Sequence, residues 1–311
     1  MLLGVRLFRL NFVPCGTERN GYKMKSKEIM EKLDFPAEAI DYLLTAENEY
    51  DSERIAAAAK DFCYENCTVN EAFDKIKAMN TGVSEYTEQL IFFINAANPL
   101  LERYKKAGID EEIFWASMHD LKWKLEECHQ VYGIWGTFVG FWFPDFYHLK
   151  RFALGRLQFE RAKFKCEEYT GKEIHLKNGD AVYNVHIPSS GKLDMDSVVQ
   201  SMKKAYEFYH ETGNMAIVCS SWLLDPDIRE AFPENSNIKK FGDCFDIIMK
   251  REDDTFKDAW RIFSKNYNGN PLELPKETTL QKNVAKWLEK GIKTGEGYGV
   301  TVFDGEKIHI R

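Results

Sequence analysis

The sequence predicts an α+β fold in which an all-helical first half is followed by a mixed α/β second half. Three observations carry that expectation. From residue 24 to about 155, apolar residues recur at the spacing of a helix face. From Leu157 onward, short apolar runs bounded by turn residues alternate with helical stretches. The length of 311 residues also exceeds that of a typical single domain. The expected division is a non-structural extension at 1–23, a helical domain at 24–153 and an α/β domain at 154–311.

Within the first half, Ile29, Met30 and Leu33 mark a helix over 25–33. Pro36 opens a second helix through Ala39, Ile40, Leu43 and Leu44. Thr68-Val-Asn-Glu71 fits a capping box ahead of Ala72, Phe73 and Ile76. Ser84 begins a long amphipathic run to Tyr104, which Pro99 is expected to kink or split and Gly108 to stop. Asp110 starts a further helix, with Ile113, Phe114, Met118, Leu121, Leu125 and Cys128 on one stripe. His119, Asp120, Trp123 and His129 lie close to an aromatic run at 135–147, which reads as core or interdomain seam. The two histidines are too far apart to share a helical face, so no metal is assigned.

In the second half, strands are expected at 157–166, 173–176 and 181–187, with Asn178-Gly179 turning the last two into a hairpin. Asp194 or Asp196 caps a helix through Tyr209, and Gly213 ends it. A buried strand at 215–219, a short helix ending near Phe232, a strand at 245–250 and helices at 255–263 and 278–290 follow. A hairpin of 298–303 and 307–310 closes the chain.

Composition limits the function. A charge of −7 argues against a nucleic-acid surface covering the protein and against an anionic membrane partner. The 22 Phe, 14 Tyr and 7 Trp exclude disorder as the main state. Arg6 and Arg9 interrupt the first apolar run, so it does not read as a secretory signal. No run approaches the roughly 18 apolar residues of a membrane span. Seven scattered cysteines without a second metal-spaced pair read as free thiols in a cytoplasmic protein.

Two stretches carry chemistry. The loop after strand 181–187 offers Ser189, Ser190, Gly191 and Lys192 at a helix N-terminus, where backbone amides and the dipole favour an anion. Asp194 and Asp196 put opposing charge at the same end. The strand end Cys219-Ser220-Ser221 groups three small reactive side chains, and a Cys219–His186 nucleophile is one option. The plainer reading is a buried cysteine followed by a helix cap, because no nucleophile-elbow pattern surrounds it.

The runs LGRLQFE (154–160), HIPSSGKL (186–193), SWLLDP (221–226) and SNI (236–238), in that order, make the chain resemble the bacterial acyltransferase-domain proteins. These pair a helical N-acyltransferase N-terminal domain with a GNAT-like C-terminal domain. The resemblance covers nearly everything after residue 24. It implies acyl-CoA as co-substrate, a small-molecule amine as acceptor, and no metal. It also implies that Ile187–Lys192 holds the pyrophosphate and that 215–221 is the neighbouring strand. Acyl transfer needs a base for the amine, an oxyanion donor and an acid for the thiolate. The resemblance points to His186, Ser220 and Ser221 for these roles. Many relatives carry His between Cys and Ser-Trp, where this chain has Ser220. The loop also has one glycine rather than a Q/R-x-x-G-x-G/A run. Both departures keep an alternative in view: a non-catalytic, CoA- or ligand-binding regulatory module.

Overall fold

The structure, a computed structural model, describes residues 23–253 and 255–310. The extension read at 1–23, with Cys15, lies outside the described residues apart from Lys23. Helices α1 (Ser26–Lys32), α2 (Ala37–Glu47), α3 (Ser52–Cys63), α4 (Val69–Lys77), α5 (Glu85–Ala107), α6 (Glu111–Met118), α7 (Asp120–Tyr132) and α8 (Pro144–Tyr147) come first. Strands β1 (Arg151–Leu154), β2 (Leu157–Lys163), β3 (Glu168–Thr170), β4 (His175–Lys177) and β5 (Ala181–His186) follow, then helix α9 (Met195–Phe208) and strand β6 (Met215–Ser221). The rest is α10 (Pro226–Arg229), α11 (Asn237–Gly242), β7 (Asp246–Asp253), α12 (Ala259–Phe263), α13 (Thr279–Glu289), β8 (Thr294–Phe303) and β9 (Ile308–His309).

Local chemistry explains most helix ends. Thr68 and Glu71 exchange side-chain and backbone bonds at the start of α4. Gly108 and Gly133 end α5 and α7 in the left-handed conformation, where a Cβ would be strained. Pro99 lies inside α5 and neither splits nor ends it. Leu100, Leu101 and Tyr104 are buried beyond the proline, and that burial outweighs a lost backbone bond costing about 3 kcal/mol. The single helix expected from Asp110 breaks at His119 instead. Trp115 O still accepts from His119 N at 3.0 Å, and His119 Nδ1 lies 3.1 Å from the same oxygen.

The expected fold class needs correction. Residues 24–153 are rich in helix but not all-helical, because β1 begins within them. The second half is not an alternating α/β layer. It is built on one curled mixed sheet in the order β1-β2-β5-β6-β8-β7, with β9 beside β8. Only β5 and β6 run parallel; the other neighbours are antiparallel. Two apolar clusters lie wholly within the second half, and a third is shared. The shared cluster runs from Ile29 in α1 to Phe303 in β8. The fold is α+β.

The Asn-Gly hairpin is also corrected. Asp180 N bonds Lys177 O at 3.0 Å, so the turn forms. Its arms do not pair: β4 pairs with β3, and β5 pairs with β2 and β6. Val182 and Val185 are buried inside the large sheet, and that burial decides the pairing. The closing hairpin of β8 and β9 is present.

The aromatic run at 135–147 supplies much of the helical core. Phe143, Phe146 and Tyr147 are fully buried, and the Tyr147 hydroxyl donates to Phe93 O at 2.6 Å. Phe93 packs its ring 4.7 Å from Phe143 and 5.3 Å from Tyr147. Truncating this hub, Phe93→Ala, should cost about 3–5 kcal/mol in urea unfolding.

Candidate functional site

The parallel pair fixes the site. β5 and β6 are in register only at Tyr183↔Ile217 and Asn184↔Val218. Beyond those residues β5 continues to His186 beside β2, and β6 continues to Ser221 beside β8. The facing edges of β5 and β6 therefore part at their carboxyl ends. Backbone groups turned into that gap have no ladder partner across it, and an extended ligand can use them.

A polar cluster lines one face beside the gap. Gln158 and Glu160 on β2 lie directly across from His186 and Asn184 on β5. His186 Nε2 is 2.9 Å from Glu160 Oε1, which also accepts from Asn184 Nδ2 at 2.9 Å. Arg151 Nε donates to Glu160 Oε2 at 2.8 Å. Burial alone would raise the Glu160 carboxyl, but His186, Arg151 and Asn184 together hold it down at about 2. Burial, reinforced by the Arg151 charge, holds the His186 imidazole below its ordinary value despite Glu160. The ring is therefore neutral near pH 7. Since the carboxylate can only accept, Nε2 carries the hydrogen and Nδ1 keeps the lone pair of a base.

The helical region closes the cluster. The Trp142 ring meets the His186 ring edge-on at 4.9 Å, and the Arg151 guanidinium lies 3.9 Å from the same indole. Asp120 accepts from Trp142 Nε1 and from Gln158 Nε2, both at 2.9 Å.

The other expected site residues divide. Ser220 donates to Glu296 Oε2 at 3.1 Å, and Ser221 Oγ accepts from Leu223 N at 3.2 Å as a cap. Cys219 is fully buried and its thiol is pushed well up by burial. It shares a sheet face with Val185, not with His186, so the structure does not bring Cys219 and His186 together. In the loop, Ser189 donates to Glu127, and Gly191 has a positive φ of 62°. The Arg156 guanidinium donates to the carbonyls of Pro188, Gly191 and Lys192 at 3.0, 3.2 and 3.0 Å. Asp194 accepts from Ser197 N and Ser197 Oγ, so it caps α9. Ile187 packs, half-buried, against two apolar clusters, and Ser190 is half-buried in the loop. Among the described residues no group of three or more His, Cys, Asp or Glu could hold a metal ion. No helix among them is long and apolar enough to cross a membrane.

Two family models match the chain. An N-acyltransferase N-terminal domain covers residues 24–149, and a GNAT-like C-terminal domain covers residues 151–301. The chain belongs to the family that joins these two domains. No curated protein sequence matches it. Three solved structures are similar to this chain. An acyltransferase in complex with decanoyl-CoA is 23% identical, with a TM-score of 0.69 over 88% of this chain and 86% of that one. An acyltransferase in complex with decanoyl-CoA and teicoplanin is 20% identical, with a TM-score of 0.68 over the same shares. An acyltransferase in complex with CoA and 10C-teicoplanin is 19% identical, with a TM-score of 0.67 over 89% and 87%. At these identities the likeness establishes the shared fold.

Sequence reasoning misses Glu160, Arg151 and Arg156 as site residues. A faint signal exists for the first: Gln158 and Glu160 alternate with apolar Leu157 and Phe159, which gives the strand one polar face.

The Glu160 pairing has a pH signature. A carboxyl lowered from 4.5 to about 2 contributes stability above pH 4.5 and loses it as pH falls toward 2. The contribution is about 3 kcal/mol. Glu160→Gln should therefore be less stable than the parent at pH 7. The difference should stay level above pH 4.5 and narrow as urea unfolding is repeated at lower pH, down to pH 3.

Proposed function

We propose that the chain is an acyl-CoA-dependent N-acyltransferase that moves an acyl group onto a small-molecule amine. The parting of β5 and β6 beside the His186–Glu160 pair carries this reading. An extended pantetheine arm fits between two strand edges that no longer bond each other. Solved acyltransferases of the same fold hold decanoyl-CoA, which adds support for an acyl-CoA donor. A small-molecule acceptor is supported by one similar acyltransferase, which is solved with teicoplanin.

The chemistry proceeds as an aminolysis of a thioester. The amine nitrogen forms a bond to the carbonyl carbon, and the carbon–sulfur bond breaks. The amine loses one proton, and the departing thiolate gains one. His186 accepts the first at Nδ1, with Glu160 holding Nε2. Ser220, exposed at the gap, supplies a hydroxyl for the thiolate. Backbone amides freed at the strand ends act on the carbonyl oxygen. Lys192 and the backbone N–H groups of 187 and 189–192 take the pyrophosphate. Arg156 supports that loop by drawing three carbonyls to one side.

A second reading, the non-catalytic CoA-binding module, draws on one observation. Glu127 borders the loop and occupies the Ser189 hydroxyl, which leaves a carboxylate where a phosphate would lie. Titration with decanoyl-CoA and thiol release over an amine panel separate the two. Turnover supports the enzyme; binding without turnover for every amine supports the module; no binding of any acyl-CoA overturns both.

Two variants sharpen the enzyme reading. His186→Asn should lower kcat about a hundredfold or more. The acid limb of the wild-type profile should lie below pH 6.5, the ordinary histidine value, because burial disfavours the charged ring. Cys219→Ala should keep its activity, so a large loss there would restore the thiol mechanism.

Arg156→Ala should release the loop carbonyls. The expected result is an acyl-CoA KM raised about tenfold with kcat within a factor of about two, measured by steady-state kinetics.

A further inference from the structure

We propose that Asp120, at the start of α7, is a positioning residue of the acyl-transfer centre that acts on His186 through Trp142. The proposal rests on the reading of His186 as the base. Asp120 is 2% exposed and lies at a helix N-terminus, yet its side chain does not cap that helix. Both carboxylate oxygens reach across to other elements instead. Oδ2 accepts from Trp142 Nε1 and Oδ1 accepts from Gln158 Nε2. These bonds fix the plane of the indole, and the indole edge fixes the His186 imidazole at a ring distance of 4.9 Å. Gln158 is itself 2% exposed and directly opposite His186 in the sheet. With its amide donor spent on Asp120, its Oε1 has no hydrogen-bond partner. A buried acceptor left without a donor is costly, which is consistent with a site built for position at the expense of stability.

The charged groups around His186 come from four elements. Glu160 on β2 bonds the ring, and Arg151 on β1 bonds Glu160. Asp145 on α8 takes the other end of Arg151 at 2.9 Å. Asp120 on α7 is the one negative group that reaches His186 through an aromatic ring rather than through Glu160. Its charge favours the protonated imidazole. Removing that charge lowers the proton affinity of His186 further. The acid limb of the activity profile then moves to lower pH. A purely structural residue would reduce activity equally at every pH.

The test is Asp120→Asn in the full-length protein. Decanoyl-CoA and the best amine of the panel serve as substrates, with kcat/KM measured from pH 5 to pH 9. The expected result is an acid limb displaced downward and kcat reduced about tenfold or more, with the acyl-CoA KM within about twofold. NMR titration of the His186 ring should show the same downward displacement without any turnover. An unmoved limb with an unmoved imidazole titration overturns the proposal. If Asp120→Asn does not fold, Trp142→Phe keeps an aromatic ring against His186 and Arg151 and removes the bond to Asp120. It should lower kcat by about the same factor, and wild-type kcat overturns the proposal. His186→Asn separates the two claims. Retained activity there defeats the base reading itself, whereas an inactive His186→Asn with an unmoved Asp120→Asn limb defeats only the role of Asp120.

Discussion

The site depends on one buried carboxylate. Glu160 stands on β2 between Arg151, Asn184 and His186, and its ionised form satisfies all three at once. Removing a paired charge of this kind leaves its partners unmatched in a low-dielectric setting. Arg151 is 4% exposed and would lose its nearest counter-charge. His186 would lose the acceptor that fixes its tautomer. The Arg151 guanidinium also bonds Trp142 O and stacks on the Trp142 ring, so the effect passes into the helical region. The shared core makes this possible. Because the helices and the sheet close over one apolar cluster, polar groups at their seam are held by packing on both sides.

The same seam explains why the aromatic run at 135–147 is divided in role. Phe143, Phe146 and Tyr147 are core. Trp142 is turned toward the polar cluster, and Phe141 is 76% exposed. A 3-10 turn at Gly140–Trp142 produces that divergence, because successive side chains in a tight turn point in different directions. A Cβ at Gly140 would meet Gln89 Oε1 at 2.4 Å and Phe73 at 3.0 Å, so both side-chain tips would have to move.

Elements with local start and stop chemistry were legible in the sequence. The capping box at Thr68 and the left-handed stops at Gly108 and Gly133 need only neighbours in the chain. Helix α3 went unanticipated although Asp51 caps it through Glu53 N and Arg54 N. Non-local pairing was not legible. Asn178-Gly179 makes the turn it should, yet the strands on either side join different sheets. The site shows the same limit. His186 and the loop stood out because they follow a strand and precede a helix. Glu160 lies 26 residues before His186, and Asp120 lies 22 before Trp142. Neither separation has a periodicity to betray it; only the register of β2 on β5 and the packing of α7 on the sheet bring them together.

Strand parity settles which of the small side chains near the gap can act together. Asn184 faces Val218, so His186 and Ser220 fall on one side of the sheet, and Val185 and Cys219 on the other. The Cys219 side is apolar and covered, with Ile217, Leu224 and Met202 in the same cluster. Burial there raises the thiol and removes the thiolate that chemistry would need. At the strand ends the other side is polar, and carries the histidine, its carboxylate and an exposed serine. A one-residue shift of β6 against β5 would exchange these environments, exposing Cys219 beside His186 and burying Ser220. Ala216, Val218 and Val300 form an apolar patch on the His186 side of the sheet, while Met215, Ile217 and Cys219 fill the other. The shift would leave both patches mismatched, so the apolar packing of β6 also decides which chemistry its strand end can offer.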